Sequence, residues 1–357
     1  MNSDETTIAA VVSGIFGLLD GGFRAMEVCG THTVSIFRSG IRSLLPDSIE
    51  LISGPGCPVC VTPIGEIDRA LSLSYQDDVV LLTFGDLMRV PGSKSSLSIA
   101  HAEGSDVRIV TSPLEMLEIA QAEQRKKVVF FAVGFETTSP AIAASLLEAR
   151  RKGIDNLFIL SSLRLIPPAL RVLVSSERLA LDGFLLPGHV SVIIGAEPYA
   201  FLIREFLSRG VITGFEPLDI LEGVFMLLRQ RKQGRAAIEI QYKRAVTAEG
   251  NLRALQVLQD VFTPADASWR GLGLIPKSGL VLKEEFREMD AAAVFAVPCE
   301  EVDDPPGCRC GEVLQGIIRP PECGLFGTKC TPQHPVGPCM VSSEGSCAAF
   351  YKFGAAR

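Results

Sequence analysis

Ten cysteines stand in this chain, and six of them fall between Cys308 and Cys347; Cys29, Cys57 and Cys60 form a second group and Cys299 stands apart. Cytosolic thiols are kept reduced, so in that compartment this uneven distribution points to two sites of different kinds and not to a disulfide framework. In the C-terminal group, Cys308, Cys323, Cys330 and Cys347 follow the spacing C-x14-C-x6-C-x16-C, with Cys310 and Cys339 as extra thiols. Four thiolates are the donor set of a cubane iron–sulfur cluster. The intervening Gly311, Pro320-Pro321, Gly324, Gly327, Pro332, Pro335 and Gly337-Pro338 let loops turn tightly around one. Zinc also takes four thiolates, but usually from C-x2-4-C pairs, which this set lacks. A metal site is expected here, iron–sulfur in preference to zinc, with Cys310 the substitute for Cys308 as first ligand.

The second group carries different chemistry. In Cys29-Gly30-Thr31-His32 a strand gives way to a helix, where unpaired N–H groups favour a thiolate and a lowered pKa is expected. Thr31 can cap that helix, and His32 can pair with the thiol or take its proton. A buried structural cysteine beside a capping threonine reads equally well. Gly54-Pro55-Gly56-Cys57-Pro58-Val59-Cys60 puts two thiols on a rigid turn, suited to a reversible disulfide or to a soft metal ion. Gly134-Phe135-Glu136-Thr137-Thr138 offers a carboxylate and hydroxyls at a sheet edge, although a plain helix start explains it as well. His189, in Leu186-Pro187-Gly188-His189, follows another strand, a position more often structural than catalytic. No phosphate-binding loop or dinucleotide fingerprint is present.

The elements that must position these residues alternate. Strands are expected near Ala25–Val28, Glu50–Ile52, Asp78–Phe84, Val107–Val110, Lys127–Val133, Asn156–Leu160 and Gly183–Leu186. Helices are expected at Val34–Leu44, Ile64–Ser74, Pro113–Gln124, Ala141–Lys152, Ala200–Leu207 and Leu218–Arg231. The alternation predicts an α/β fold with two parallel-sheet α/β domains, ligands binding at carboxyl ends of strands, and a C-terminal Cys-rich domain. The expected divisions are 1–125 (first α/β domain), 126–217 (second), 218–296 (mainly helical) and 297–357 (cysteine-rich). Val133-Gly134-Phe135-Glu136-Thr137 is weakly echoed by Thr213-Gly214-Phe215-Glu216-Pro217, which two related halves would explain and so would chance. The last division is too poor in apolar runs to fold by itself, so something else must hold it, and a metal cluster is the obvious candidate. With 34 Lys plus Arg against 41 Asp plus Glu, no basic surface for nucleic acid or anionic lipid is expected. The apolar stretch Ile8–Leu19 follows Asp4 and Glu5 and reads as an amphipathic helix, not a signal peptide. A soluble cytoplasmic protein is expected.

Met26-Glu27-Val28-Cys29-Gly30-Thr31-His32-Thr33, Gly54–Pro63, Gly134–Thr138 and the Cys308–Cys347 pattern together resemble the HypD family of [NiFe]-hydrogenase maturation proteins, in order from Met26 to Tyr351. The resemblance implies a scaffold for the Fe(CN)2CO unit. It also implies a small HypC-type chaperone as partner, and cyanide delivered by a HypE-type donor with HypF upstream. By position it makes Cys29 the iron-linked cysteine, Cys57 and Cys60 the redox or iron-associated pair, and Cys308, Cys323, Cys330 and Cys347 the [4Fe–4S] ligands. His32, Glu136 and Thr137 complete the expected site. The chain departs from the family pattern at Ser161-Ser162-Leu163, where many members have a His after the serines, and at Leu186, where many have a Cys. A scaffold with redox-active thiols is expected in preference to a turnover enzyme. The alternative is a free-standing iron–sulfur thiol oxidoreductase.

Overall fold

A computed structural model describes residues 3–354. Eleven strands form two sheets. The first sheet has the order β2-β1-β7-β8-β9. Its strands are β1 (Phe23–Glu27), β2 (Ile49–Ser53), β7 (Gly183–Pro187), β8 (Gly210–Thr213) and β9 (Ile238–Ile240), and every pairing is parallel. The second sheet has the order β10-β11-β6-β5-β3-β4. There β3 (Val79–Thr83), β4 (Val107–Ile109), β5 (Lys127–Gly134) and β6 (Leu157–Arg164) pair in parallel, while β10 (Phe262–Trp269) and β11 (Gly273–Leu282) form an antiparallel hairpin against β6. Central strands such as Val79-Val80-Leu81-Leu82-Thr83 are apolar on both faces and wholly buried, because helices cover both sides of a parallel sheet.

Three expectations change. The second sheet is mixed, not parallel. Residues 218–296 are not mainly helical: beside the helices Pro217–Lys232 and Leu252–Val261 they carry β9, β10 and β11. The sheets also cross the division at residue 125, since the chain leaves the first sheet after β2, builds β3 to β6 of the second, and returns for β7 to β9. Parallel strands require crossovers, and these crossovers interleave the two units instead of closing each in turn.

The largest of three apolar clusters joins both sheets and the tail. Met26, Ile52 and Phe184 of the first sheet, Leu81, Val129 and Phe131 of the second, and Val313, Leu314 and Met340 of the tail belong to the same buried cluster. The tail's regular structure among the described residues is short, with helices Cys310–Leu314, Pro338–Val341 and Ser346–Phe353 and a 3-10 turn at Pro320–Glu322. The last of these packs on the helix Gly30–Arg38, with Phe350 edge-on to Phe37 at 5.3 Å. No helix among the described residues is long and apolar enough to cross a membrane.

Candidate functional site

The two N-terminal cysteine motifs lie side by side because the strands before them are paired in register, Glu27 opposite Ser53. Beyond the strands, Gly54 N–H donates to the Glu27 carbonyl at 2.8 Å and Gly30 N–H to the Gly56 carbonyl at 2.9 Å. A Cβ on Gly56 would stand 2.2 Å from the Cys29 nitrogen, so only glycine lets the turns approach this closely. Cys29 caps the helix Gly30–Arg38 in extended conformation. Cys57 caps a single helical turn, Pro58–Val61, its Sγ accepting the Cys60 N–H at 3.2 Å.

Cys29 does not have the lowered pKa expected of a helix start. Burial pushes the thiol up to about 12, and Glu344 adds to the rise against hydrogen bonds from the Thr31 and His32 backbone. Desolvation outweighs the partial charges of a nine-residue helix. His32 does not pair with the thiol either. Its Nε2 lies 2.8 Å from the Gly214 carbonyl and 3.1 Å from Thr213 Oγ1. Its ring stacks on Phe215, whose other neighbour is His189 at 3.7 Å. Burial lowers its pKa to about 4 and keeps it neutral; among the described residues Nδ1 is buried without a partner.

Two carboxyls are buried, Glu27 at the end of β1 and Glu136 just after β5. Glu27 accepts from Thr33 Oγ1 at 2.6 Å and from the Cys29 N–H at 3.4 Å, and burial raises it to about 8. Glu136 accepts the Ile166 N–H at 2.9 Å through Oε1 while Oε2 has no partner, and burial raises it to about 7. The Tyr199 hydroxyl lies 3.2 Å from Ser191 Oγ, and burial pushes it above the phenol range. Thr137 is exposed and joins none of these contacts.

The tail closes over both motifs. Thr31 Oγ1 donates to Glu344 at 2.7 Å, and Cys57 Sγ donates to Ser342 Oγ at 3.2 Å. Asp86 anchors the same segment by accepting from Ser342 Oγ, Ser343 N–H and Ser343 Oγ. Pro58, Val59, Asp86, Thr138, Ser342 and Glu344 line an open cleft at the carboxyl end of the second sheet.

Cys308, Cys310, Cys323, Cys330, Cys339 and Cys347 line one cavity with Val313, Leu325, Phe326 and Met340. All ten cysteines are free thiols. Cys310 and Cys339 stand 2.8 Å apart, and Cys339 in turn contacts Cys60 and Cys347. A row of thiols therefore runs from Cys57 through Cys60, Cys339 and Cys310 to Cys308. Six thiols and apolar walls, with no carboxylate, fit a thiolate-bound cluster. Among the described residues no three donors converge closely enough for one bare ion.

Sequence reasoning missed Glu27, Tyr199, Asp86, Ser342 and Glu344. An acid inside the apolar strand β1 was a readable signal for Glu27. The others come from distant segments and carry no local pattern.

These features define a two-sheet α/β protein whose cysteine-rich tail closes a thiol-bearing cleft. The chain belongs to the HypD family of hydrogenase maturation factors. The family profile, described as the hydrogenase formation hypA family, matches residues 7–354. The chain is 46% identical to the hydrogenase maturation factor HypD of Escherichia coli over 92% of its length and 89% of the relative's. It is 46% identical to HypD2 of Bradyrhizobium diazoefficiens over 93% of its length and 90% of the relative's. It is 44% identical to HypD of Rhodobacter capsulatus over 98% and 94%.

Proposed function

We propose that this protein is the scaffold on which the Fe(CN)2CO unit of [NiFe]-hydrogenase is assembled, working in the cytoplasm with a HypC-type chaperone and a HypE-type cyanide donor charged through HypF. The observation that carries this reading is the abutment of Cys29 against the Cys57–Cys60 turn under the tail. Cys29 is the ligand of the cargo iron, because a single thiol leaves positions open for a partner's sulfur, cyanide and carbonyl. Its high pKa means that iron must displace a proton to bind. Neutral His32 and the half-neutral Glu136 belong to the site in this reading. Thr137, being exposed, faces the partner side of the cleft in this reading.

Cys57 and Cys60 supply reducing equivalents. Freeing cyanide from a thiocyanate breaks one S–C bond and consumes two electrons. Closing the Cys57–Cys60 disulfide releases two electrons and two protons, leaving a thiol and hydrogen cyanide, which loses its proton on binding iron. Cys308, Cys323, Cys330 and Cys347 would hold a [4Fe–4S] cluster, which when bound exchanges electrons singly. Cys310 and Cys339 line that cavity, with Cys339 against Cys60, and in this reading they mark the route by which electrons return to the disulfide.

The test is an infrared spectrum of the protein co-purified with its chaperone. Cys29→Ala should fold and keep its cluster but show no iron-bound cyanide or carbonyl bands. Retained bands in Cys29→Ala, with loss only in Cys57→Ala or Cys60→Ala, would reverse the roles. Steady turnover of a disulfide substrate without any partner would instead mark a free-standing thiol oxidoreductase.

A further inference from the structure

The loop Trp269-Arg270-Gly271, between β10 and β11, is wedged between the two thiol centres. Arg270 N–H donates at 2.8 Å to the carbonyl of Val61, the residue after Cys60. On the other side, a Cβ on Gly271 would meet the Gly311 Cα at 2.5 Å, and Gln315 Nε2 donates to the Gly271 carbonyl at 2.5 Å. The loop is thus fixed against both the Cys57–Cys60 turn and the helix that begins at Cys310.

The Arg270 side chain is only 4% exposed, and its one ion pair is Nε to Asp304 at 2.6 Å, a carboxylate at 29% exposure. The positive end of the pair therefore points inward and the negative end outward. Nη1 is buried with no hydrogen-bond partner. Knitting Asp304 to the body of the protein explains Nε, but it does not explain why a whole guanidinium is buried when a neutral donor would serve. Burying a charge this deeply is costly unless it is paired and every donor is satisfied, and Nη1 is not. Asp304 Oδ2 in turn lies 3.8 Å from where a Cβ on Gly311 would stand, so the ion pair sits against the helix that begins at Cys310.

We infer that Arg270 is the counter-charge of the C-terminal cysteine cavity, a positioning residue that sets how readily the group held there accepts an electron. This rests on the reading of that cavity as an iron–sulfur site. Reduction adds one negative charge to the cluster, and a fixed cation in a low-dielectric wall stabilises the reduced form and raises the potential. Asp304 holds the guanidinium in place and offsets part of its charge, so removing the two partners has opposite effects.

The measurement is an electron-paramagnetic-resonance redox titration of the anaerobically purified full chain. Arg270→Gln should make the cluster about tenfold harder to reduce, a midpoint about 59 mV more negative for one electron. Arg270→Lys should stay within about threefold of the parent protein, and Asp304→Asn should move the midpoint in the positive direction. An unshifted Arg270→Gln midpoint overturns the inference, as does Arg270→Lys moving as far as Arg270→Gln, because packing and not charge would then be responsible. If Arg270→Gln purifies without its cluster, Asp304→Asn decides: a positive shift supports the counter-charge, and no shift or a negative one overturns it. A parent protein with no cluster signal at all overturns the reading of the cavity, and this inference falls with it.

Discussion

At the scale of single residues, burial governs the chemistry near Cys29 more than local partners do. Glu136 shows this most simply. Its folded pKa of about 7 lies above the ordinary carboxyl value of 4.5, with desolvation the largest cause. Because the folded value is raised, the stability it contributes is fully present below pH 4.5 and is lost as pH rises through 7. Glu136→Gln keeps the Oε1 acceptor for Ile166 N–H and stays neutral throughout. Thermal unfolding followed from pH 4.5 to 8 should therefore show the variant gaining on the parent protein as pH rises. The gain should approach ~3 kcal/mol, from 1.36 kcal/mol per pKa unit. Parallel curves for the two proteins would mean that Glu136 is ionised in the fold. His32 contributes in the opposite sense: its lowered pKa of about 4 gives stability that is present above its unfolded value and lost as pH falls.

At the scale of elements, the close approach of two turns makes the site, and one glycine permits it. Gly56→Ala would drive a methyl group into the Cys29 backbone, which is held by β1 and cannot yield like a flexible side chain. We expect a destabilisation on the order of 1–3 kcal/mol, the usual range for overpacking, and loss of the iron-ligand bands with the cluster intact. Unchanged bands in Gly56→Ala would show that the two motifs act apart. In the tail, Cys323→Ala should abolish the visible absorption of the cluster, whereas Cys339→Ala should keep it and lose only the link to Cys60. Loss of that absorption in Cys339→Ala would displace the C-x14-C-x6-C-x16-C ligand set.

These elements were unevenly legible in the sequence. β3, β5, β6 and β7 announce themselves because parallel strands buried on both faces are nearly continuous apolar runs. β10 does not: it is an edge strand with Pro264 inside it, and its ends Phe262 and Trp269 are its only buried residues. The cysteine motifs were readable from residue type and spacing. The pairing of β1 with β7 across the crossovers was not, and neither was the arrival of Glu344 beside Thr31, because each depends on segments far apart in the chain.

At the scale of the whole molecule, the tail is both the cover of the N-terminal site and part of the shared core. Its short helices supply few contacts of their own, so its position over Cys29 and Cys57 depends on what ties its six thiols together. The sheets have a different source of order, the apolar strands and helices packed on either face. Loss of the cluster should therefore act regionally. In cluster-free Cys323→Ala protein, hydrogen exchange should rise by tenfold or more across 305–350 while β3, β5 and β6 keep their protection. Because Ser342 and Glu344 leave with the tail, Cys29 and Cys57 should become open to alkylation that they resist in the intact protein. Peptide-resolved alkylation reads this directly, with Cys299, exposed throughout, as the internal reference. If Cys29 stays protected while the tail exchanges freely, the cover is independent of the cluster. If β5 and β6 lose protection together with the tail, the thiol centre holds up the whole fold and not just its lid.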